Sequence, residues 1–287
     1  MLEVLSGVRY YVVPSGNSGL RPYGYNVCFN RGTLGAGGQY EVKCDAYEND
    51  SVLPLGFASD AVIPRSTYEA LEVTEKQQAL LQGIVVEDDK IPSALADTKT
   101  EMEFTDEDIS YMITDMHNVE LTDQGFTATE KKASVTLSFE GIPESETYFI
   151  LKGLQFSEEG KTLTQSKSRL HIDVTCGKIT KMITFLTRKN NFYSGVDDYL
   201  INAGYRDEKA DEIILTFHEK GTYRFDEMQI VCQPVKQIAG WTKSLKQDIL
   251  KDVVMDTNHI SGTLTADQEK LLCMTIPYSS GWRAYID

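Results

Sequence analysis

The chain has 287 residues, of which 41% are hydrophobic, 10% aromatic and 25% charged, and this is the composition of a folded globular protein. Its formal net charge of -15, from 43 acidic and 28 basic side chains, repels phosphate backbones and argues against a nucleic-acid partner. No apolar run is long enough for a membrane-spanning helix, and the first residues lack the pattern of a signal peptide, so we expect a soluble polypeptide.

The first part of the chain is mostly strand-like. Alternation of apolar and polar residues predicts strands over residues 8–13 and 39–47, with glycine-rich loops between them. Residues 66–83 predict a helix that begins at a capping box, Ser66 to Glu69, and a second box at Thr74 to Gln77 allows two short helices with a break. The polar residues 87–110 favour a loop or domain linker over a calcium loop, because the spacing of calcium ligands is missing.

From residue 131 onward, strand-like runs follow one another with turn residues between them. The runs are 134–139, 148–155, 170–176, 182–186, 199–203, 213–217 and 223–232. Strands at this spacing predict a two-sheet sandwich or a jelly roll.

The last part of the chain combines a helix with hairpins. An imperfect apolar stripe predicts a helix over residues 235–250, and two strands at 260–265 and 270–276 are expected to pair as a hairpin through residues 266–269. A further hairpin begins near Tyr278, but its second strand is barely started at Asp287. We therefore expect disorder or edge mispairing near Tyr285.

The predicted fold class is mainly β: a jelly-roll-like β-sandwich plus a second β-rich lobe, with a few short helices. The expected division places residues 1–125 in an N-terminal β-rich lobe that includes the helical segment 66–83 and is completed by residues 250–287. Residues 126–249 form the jelly-roll-like sandwich with a C-terminal helix.

Familiar catalytic and metal-binding motifs are missing from the sequence. The four histidines, His117, His171, His218 and His259, do not have ligand spacing, and the five cysteines form no CxxC pair. There is no G-x-S-x-G elbow, phosphate loop or dinucleotide-binding glycine pattern. We expect no catalytic residue, no metal and no cofactor.

A sugar site is the best local candidate for a binding function. Asp197 and Asp198 stand beside Tyr193 and Tyr199, and carboxylates can bridge vicinal hydroxyls while an aromatic ring stacks on a pyranose. The alternative is a solvated strand entry, in which adjacent residues point to opposite faces. Trp282 is a candidate sugar platform as well, although a tryptophan after a glycine corner more often plugs a core.

Several segments resemble YfhO-type bacterial membrane proteins. The C-terminal block matches the family pattern PY-x-x-GW-x-x-x-x-D through Pro277, Tyr278, Gly281, Trp282 and Asp287. The segment LPLGF carries the family positions Pro54 and Gly56, and it follows the family-like Tyr47-Glu48-Asn49. Further short matches lie at residues 7–11, 23–25, 75–81 and 221–225, so that the resemblance covers nearly the whole chain.

The resemblance implies an extracytoplasmic region of a multi-pass protein similar to membrane glycosyltransferases that take sugars from polyprenyl-phosphate carriers. In such enzymes the catalytic acid belongs to a loop of the membrane bundle, and nothing here matches that loop, so this region is expected to be non-catalytic. It is also expected to stop just short of the next membrane segment. Its expected partners are the membrane bundle of its own full-length chain and a cell-envelope glycan.

Three functions follow as alternatives. The first is binding or orienting a glycan acceptor, and the second is a structural or protein-interaction role that shields the membrane active site. The third is a carbohydrate-binding module of unrelated origin. An exposed aromatic ring beside carboxylates favours glycan binding, and a flat apolar patch favours protein contact.

Overall fold

A computed structural model of the chain describes residues 2–16, 21–34, 42–98, 100–161 and 167–286. The chain forms two compact units: the first contains the described parts of Met1–Ser18, Tyr23–Phe104 and Lys236–Asp287, and the second contains the described parts of Gly19–Pro22 and Thr105–Val235. The helices are α1 (Leu2–Leu5), α2 (Arg65–Glu69), α3 (Val73–Ala79) and α4 (Ile238–Leu245). The strands are β1 (Tyr10–Pro14), β2 (Asn26–Leu34), β3 (Val42–Glu48), β4 (Gly56–Ser59), β5 (Val62–Pro64), β6 (Ile84–Val86), β7 (Glu107–Ile109), β8 (Tyr111–His117), β9 (Val119–Thr122), β10 (Gly125–Ala128), β11 (Ala133–Phe139), β12 (Ser145–Lys152), β13 (Gln155–Ser157), β14 (Arg169–Cys176), β15 (Ile179–Leu186), β16 (Tyr199–Arg206), β17 (Glu212–Phe217), β18 (Gly221–Arg224), β19 (Glu227–Pro234), β20 (Asp248–Ile249), β21 (Lys251–Met255), β22 (Ile260–Thr263) and β23 (Leu271–Met274).

The second unit is built from three antiparallel sheets. A five-stranded sheet has the order β15-β14-β17-β11-β8, and the two four-stranded sheets have the orders β16-β12-β19-β7 and β13-β18-β10-β9. Side chains from all three sheets pack into one hydrophobic core. The mainly β class with a few short helices is therefore confirmed, while the jelly-roll designation stays a prediction.

Alternation along β11 decides which side of the five-stranded sheet faces the core. Val135 and Leu137 are fully buried, while Thr136 between them is half-exposed on the opposite face. Phe149 and Leu151 of β12 meet the same core from the facing sheet. A slip of one residue in the pairing would turn the buried side chains to solvent, so the burial pattern fixes the register.

The first unit contains smaller sheets. Its antiparallel three-stranded sheets have the orders β1-β3-β2 and β20-β4-β23, β21 pairs with β22, and β5 pairs in parallel with β6. Tyr11, Val13, Tyr25 and Tyr47 pack together on one face of the first sheet.

The chain segments that make these units differ from the expected lobes. The first unit takes in residues up to Phe104 and again from Lys236, so that α4 belongs to it and strands β7 to β10 belong to the second unit. The expected boundaries were residues 125/126 and 249/250. Strand β7 pairs with β19 of the second unit, so the second unit begins before β7 and not at residue 126.

Two predictions at the C-terminal end were wrong. Strands β22 and β23 do not pair with each other: β22 pairs with β21, and β23 pairs with β4. A short polar turn indicates a chain reversal but not the partner, and here β4, with its buried Phe57, takes β20 and β23 as neighbours on its two sides. The second expected hairpin is also missing, since residues 275–286 contain no strand.

The helices are shorter than the sequence pattern predicts. Residues 66–83 form α2 and α3 with a break between them, as the second capping box allowed. The capping interaction that forms is a different one, in which the Glu72 N–H donates to Glu75 Oε2 at 2.9 Å. The Ser66 hydroxyl donates instead to Asp88 Oδ1 at 2.5 Å. Residues 39–41 of the predicted strand lie outside the described residues.

The core of the second unit supplies a direct test of this packing. Leu137→Ala should lower the free energy of unfolding by about 2–5 kcal/mol, because it removes a fully buried side chain and leaves a cavity. Thr136→Ala, its neighbour on the outer face, should cost no more than about 1 kcal/mol. Urea unfolding followed by circular dichroism measures both, because the strand signal includes the second unit, whereas the two tryptophans, Trp241 and Trp282, lie in the first unit. Equal losses in the two variants would contradict the assigned faces.

Candidate functional site

The candidate sugar-site residues fall mainly in one loop of the second unit, residues 187–198, which joins β15 to β16. Tyr193, Asp197 and Asp198 lie in this loop, and Tyr199 is the first residue of β16. Because both aspartates precede the strand, the alternation that would send them to opposite faces does not apply. We call this segment the 187–198 loop.

Asn190 shapes the first half of the loop. Its side chain accepts a hydrogen bond from the Phe192 N–H at 2.9 Å, and its carbonyl accepts one from the Tyr193 N–H at 3.0 Å. The same side chain donates through Nδ2 to the Ser168 carbonyl at 3.1 Å. An asparagine that bonds to the backbone two residues ahead is typical of a tight turn. Residues 190–193 are therefore fixed against the strand that follows Ser168.

The second half of the loop is held by two tyrosine hydroxyls. The Tyr193 hydroxyl donates to Asp197, at 2.9 Å from Oδ2 and 3.2 Å from Oδ1. The Tyr199 ring packs edge-on against Phe185, and its hydroxyl lies 3.3 Å from the Val196 carbonyl. Burial raises the pKa of Tyr199 to about 12, with the Asp197 carboxylate adding to the rise. Both rings are half-buried, so they support the loop more than they face solvent.

Gly153, in the turn after β12, is the anchor for the end of the loop. Its N–H donates to Asp198 Oδ1 at 2.8 Å, and the next N–H, of Leu154, donates to the Asp197 carbonyl at 2.8 Å. The carboxylate of Asp226 also approaches this glycine so closely that a Cβ there would lie 2.1 Å from Oδ2. A glycine is required for that approach and for its φ of +66°.

Phe192 is the residue at this site that the sequence reasoning missed. Its side chain is 80% exposed, and among the described residues of the second unit it is the one aromatic ring that is exposed. The signal was present in the run Asn190-Asn191-Phe192-Tyr193-Ser194-Gly195, where turn-forming residues flank an aromatic pair. The loop that contains Asp197 and Asp198 thus also presents an aromatic ring to solvent.

A second polar group lies on the outer face of the five-stranded sheet. His218 Nε2 is 2.8 Å from Asp173 Oδ2, and its ring stands edge-on to His171 with 6.0 Å between centroids. Thr184 Oγ1 lies 3.3 Å from His171 Nδ1. Within the described ranges, no group of three or more histidine, cysteine, aspartate or glutamate side chains has the arrangement of a metal site. The cluster therefore gives the sheet a polar, hydrogen-bonded surface.

Trp282 and the other C-terminal family positions belong to the first unit. Pro277 and Gly281 are exposed, Tyr278 is 92% exposed and Trp282 is 41% exposed. The Trp282 N–H donates to the Ser279 carbonyl at 3.1 Å, which closes the turn at Gly281. Trp282 is thus not the buried plug that was the alternative to a platform. Asp287 lies outside the described residues.

The LPLGF segment has a structural role in the first unit. Thr275 bonds to it through its side chain and backbone, with Oγ1 donating to the Pro54 carbonyl at 3.2 Å and N–H donating to the Leu55 carbonyl at 2.8 Å. A Cβ at Gly56 would lie 2.9 Å from Met274 Sδ and 3.0 Å from Leu250 Cβ. The glycine is needed because two other segments pack directly against the backbone of β4.

The first unit also exposes an apolar sheet face. Val12, Ala46 and Phe29 are directly paired across β1, β3 and β2, so that their side chains share one face, and Tyr10 lies two residues from Val12 on the same side. Tyr10 is 57% exposed, Val12 48% and Phe29 59%. We call this surface the Tyr10–Phe29 face.

The comparisons with known proteins agree with the resemblance in the sequence. The family model described as bacterial membrane protein YfhO matches residues 1–287. No curated protein matches the chain. In the part of the chain that the structure describes, none of the helices has the length and apolar character needed to cross a membrane.

The anchor at Gly153 can be tested against a matched glycine. Gly153→Ala should lower the free energy of unfolding by about 2–3 kcal/mol, because it combines a strained positive φ with a clash against Asp226. Gly195→Ala, in the 187–198 loop that Gly153 anchors and with a φ of +80°, has nothing within 4 Å of the new Cβ and should cost about 1 kcal/mol. Urea unfolding of the two variants gives the comparison. A loss at Gly195 as large as that at Gly153 would rule out the close approach as the cause.

Proposed function

The chain belongs to the YfhO family of bacterial membrane proteins, and from this membership we propose that it is a non-catalytic extracytoplasmic domain that binds a glycan acceptor through the 187–198 loop. The observation that carries the proposal is the 80% exposed ring of Phe192, on a loop that also carries two carboxylates and is held by hydrogen bonds.

The chemistry of the loop supports a sugar ligand. The face of a pyranose ring is lined by C–H groups that pack on an aromatic face, while its hydroxyls donate hydrogen bonds. Ionised aspartates are acceptors only and therefore suit those hydroxyls. The bonds at Asn190 and Gly153 fix the loop before any ligand arrives, which lowers the entropy cost of binding.

The aspartates are assigned to support and recognition rather than to catalysis. Asp197 accepts the Tyr193 hydroxyl and Asp198 accepts the Gly153 N–H, so both carboxylates are committed to the loop. In the membrane glycosyltransferases that the sequence resembles, the catalytic acid belongs to the membrane bundle. In this proposal the membrane bundle carries out catalysis, and the present domain holds the acceptor near it on the outer side of the cell membrane.

Exposed phenylalanines in the two units provide a binding test with an internal control. Phe192→Ala should weaken glycan binding at least about fivefold, because it removes the stacking surface. Phe29→Ala removes a ring that is 59% exposed in the first unit and should leave binding unchanged. Calorimetry and NMR titration with a panel of bacterial envelope oligosaccharides measure both. The proposal is wrong if no glycan binds the unaltered chain, or if both variants bind equally well.

A second candidate function, protein contact, is favoured by the Tyr10–Phe29 face. Three large apolar side chains on one side of a small sheet are typical of an interaction surface. We propose as its partner the membrane-embedded helices of the same full-length protein, because the family is one of membrane proteins and apolar helices offer matching chemistry.

Site-specific cross-linking in bacterial membranes tests this contact. A photo-reactive phenylalanine analogue at position 29 of the full-length protein should cross-link to membrane-embedded peptides of the same chain. The control is the same group at Met112, which is 72% exposed in the second unit. Equal cross-linking from both positions, or cross-linking at position 29 to lipid alone, would refute the proposed partner.

A further inference from the structure

The exposed surface of the 187–198 loop offers a sugar only one aromatic platform. Phe192 is exposed, whereas Tyr193 and Tyr199 are half-buried and use their hydroxyls to hold the loop. No other aromatic ring in the described parts of the second unit is exposed. An extended glycan chain bound along its length would gain from several platforms in a row, because each aromatic ring adds apolar contact area.

Resting on the proposed function, we infer that the loop takes a single uncharged pyranose ring, as the end or a side branch of an envelope glycan, and does not bind along an extended chain. In this inference the sugar ring stacks on Phe192, and its hydroxyls donate to the carboxylates of Asp197 or Asp198 in the same loop. Phe192 is the specificity-determining residue, because it supplies the stacking contact with the sugar ring that the half-buried Tyr193 and Tyr199 cannot supply.

The preference for an uncharged ring follows from the groups around the platform. Asp198 is exposed on one side of the loop, and Arg188 and Lys189 are exposed where the loop begins. Because positive and negative side chains both flank Phe192 in the sequence, neither sign dominates locally and no cluster of positive charge selects a polyanion. At long range, the net charge of -15 repels a polyanionic ligand. The apolar contact with Phe192 therefore decides what binds.

The expected affinity is low because one ring makes few contacts. A monosaccharide with about a dozen non-hydrogen atoms binds with a dissociation constant on the order of millimolar. Such a value is sufficient when the domain and the glycan share one membrane surface, since confinement raises the effective concentration into the same range.

Titrations with sugars of increasing length test the inference on the 287-residue chain. The probes are glucose, galactose and N-acetylglucosamine, each as a monosaccharide and as its linked di- and tetrasaccharide. NMR amide shifts should change within the 187–198 loop, with dissociation constants that agree within about twofold across the three lengths of the series that binds. Phe192→Trp should tighten binding about two- to fivefold because its ring is larger, and Phe192→Ala should weaken it at least about fivefold.

The outcomes separate this inference from the proposed function. A dissociation constant that falls about tenfold with each added ring would overturn the single-ring inference and leave glycan binding intact. Equal binding by Phe192→Ala and Phe192→Trp would overturn both the inference and the proposed function, because both place the sugar on the Phe192 ring. Absence of binding by every probe at every length would overturn the proposed function itself.

Discussion

The architecture of the second unit depends on burying side chains from three sheets in one hydrophobic core. Val135 and Leu137 of β11 and Phe149 of β12 have essentially no exposed surface, and the two β11 residues are each followed by a polar residue, Thr136 or Ser138, on the other face. Strand β12 is buried along nearly its whole length, including Glu146, whose carboxylate accepts hydrogen bonds from the Tyr148 hydroxyl and from Asn202 Nδ2 at 3.3 Å. A buried carboxylate is tolerated only with such partners. Burial along β12 and the hydrogen bonds of Glu146 therefore fix the position of this central strand.

This fixed strand determines where the candidate site lies. The turn after β12 places Gly153, and the Gly153 N–H and the Leu154 N–H bind the end of the 187–198 loop. Asn190 ties the start of the same loop to the backbone at Ser168. The ring of Phe192 thus has a defined position although nothing packs over it. The register of the core strands fixes the backbone at Gly153 and Ser168, and hydrogen bonds to that backbone position the candidate site. The site is an exposed loop and not a pocket.

Sequence patterns predicted the strands of the second unit well, because one-sided burial leaves period-two alternation in β11, β14 and β17. They failed where the partner of a strand is distant: the turn at residues 266–269 suggested a hairpin, but β23 pairs with β4. The sequence also predicted the region of the candidate site through Tyr193, Asp197 and Asp198. It could not predict that the tyrosine hydroxyls face inward while Phe192 faces out, since that depends on contacts with Gly153 and Ser168.

The pairing of β4 has a consequence for how the protein is made. Ala58 pairs with Leu272 and with Asp248, so this strand leaves the ribosome long before either neighbour exists. At about 5–20 residues per second, the delay before Leu272 is synthesised is on the order of ten to forty seconds. Nearly all of the second unit, by contrast, comes from the continuous segment Thr105–Val235, with the described part of Gly19–Pro22 made earlier, so this unit can fold before the partners of β4 have been synthesised. The second unit can therefore fold before the first unit is complete. Phe57, which is buried in the folded protein, stays accessible to chaperones until the segment containing Leu272 has been synthesised.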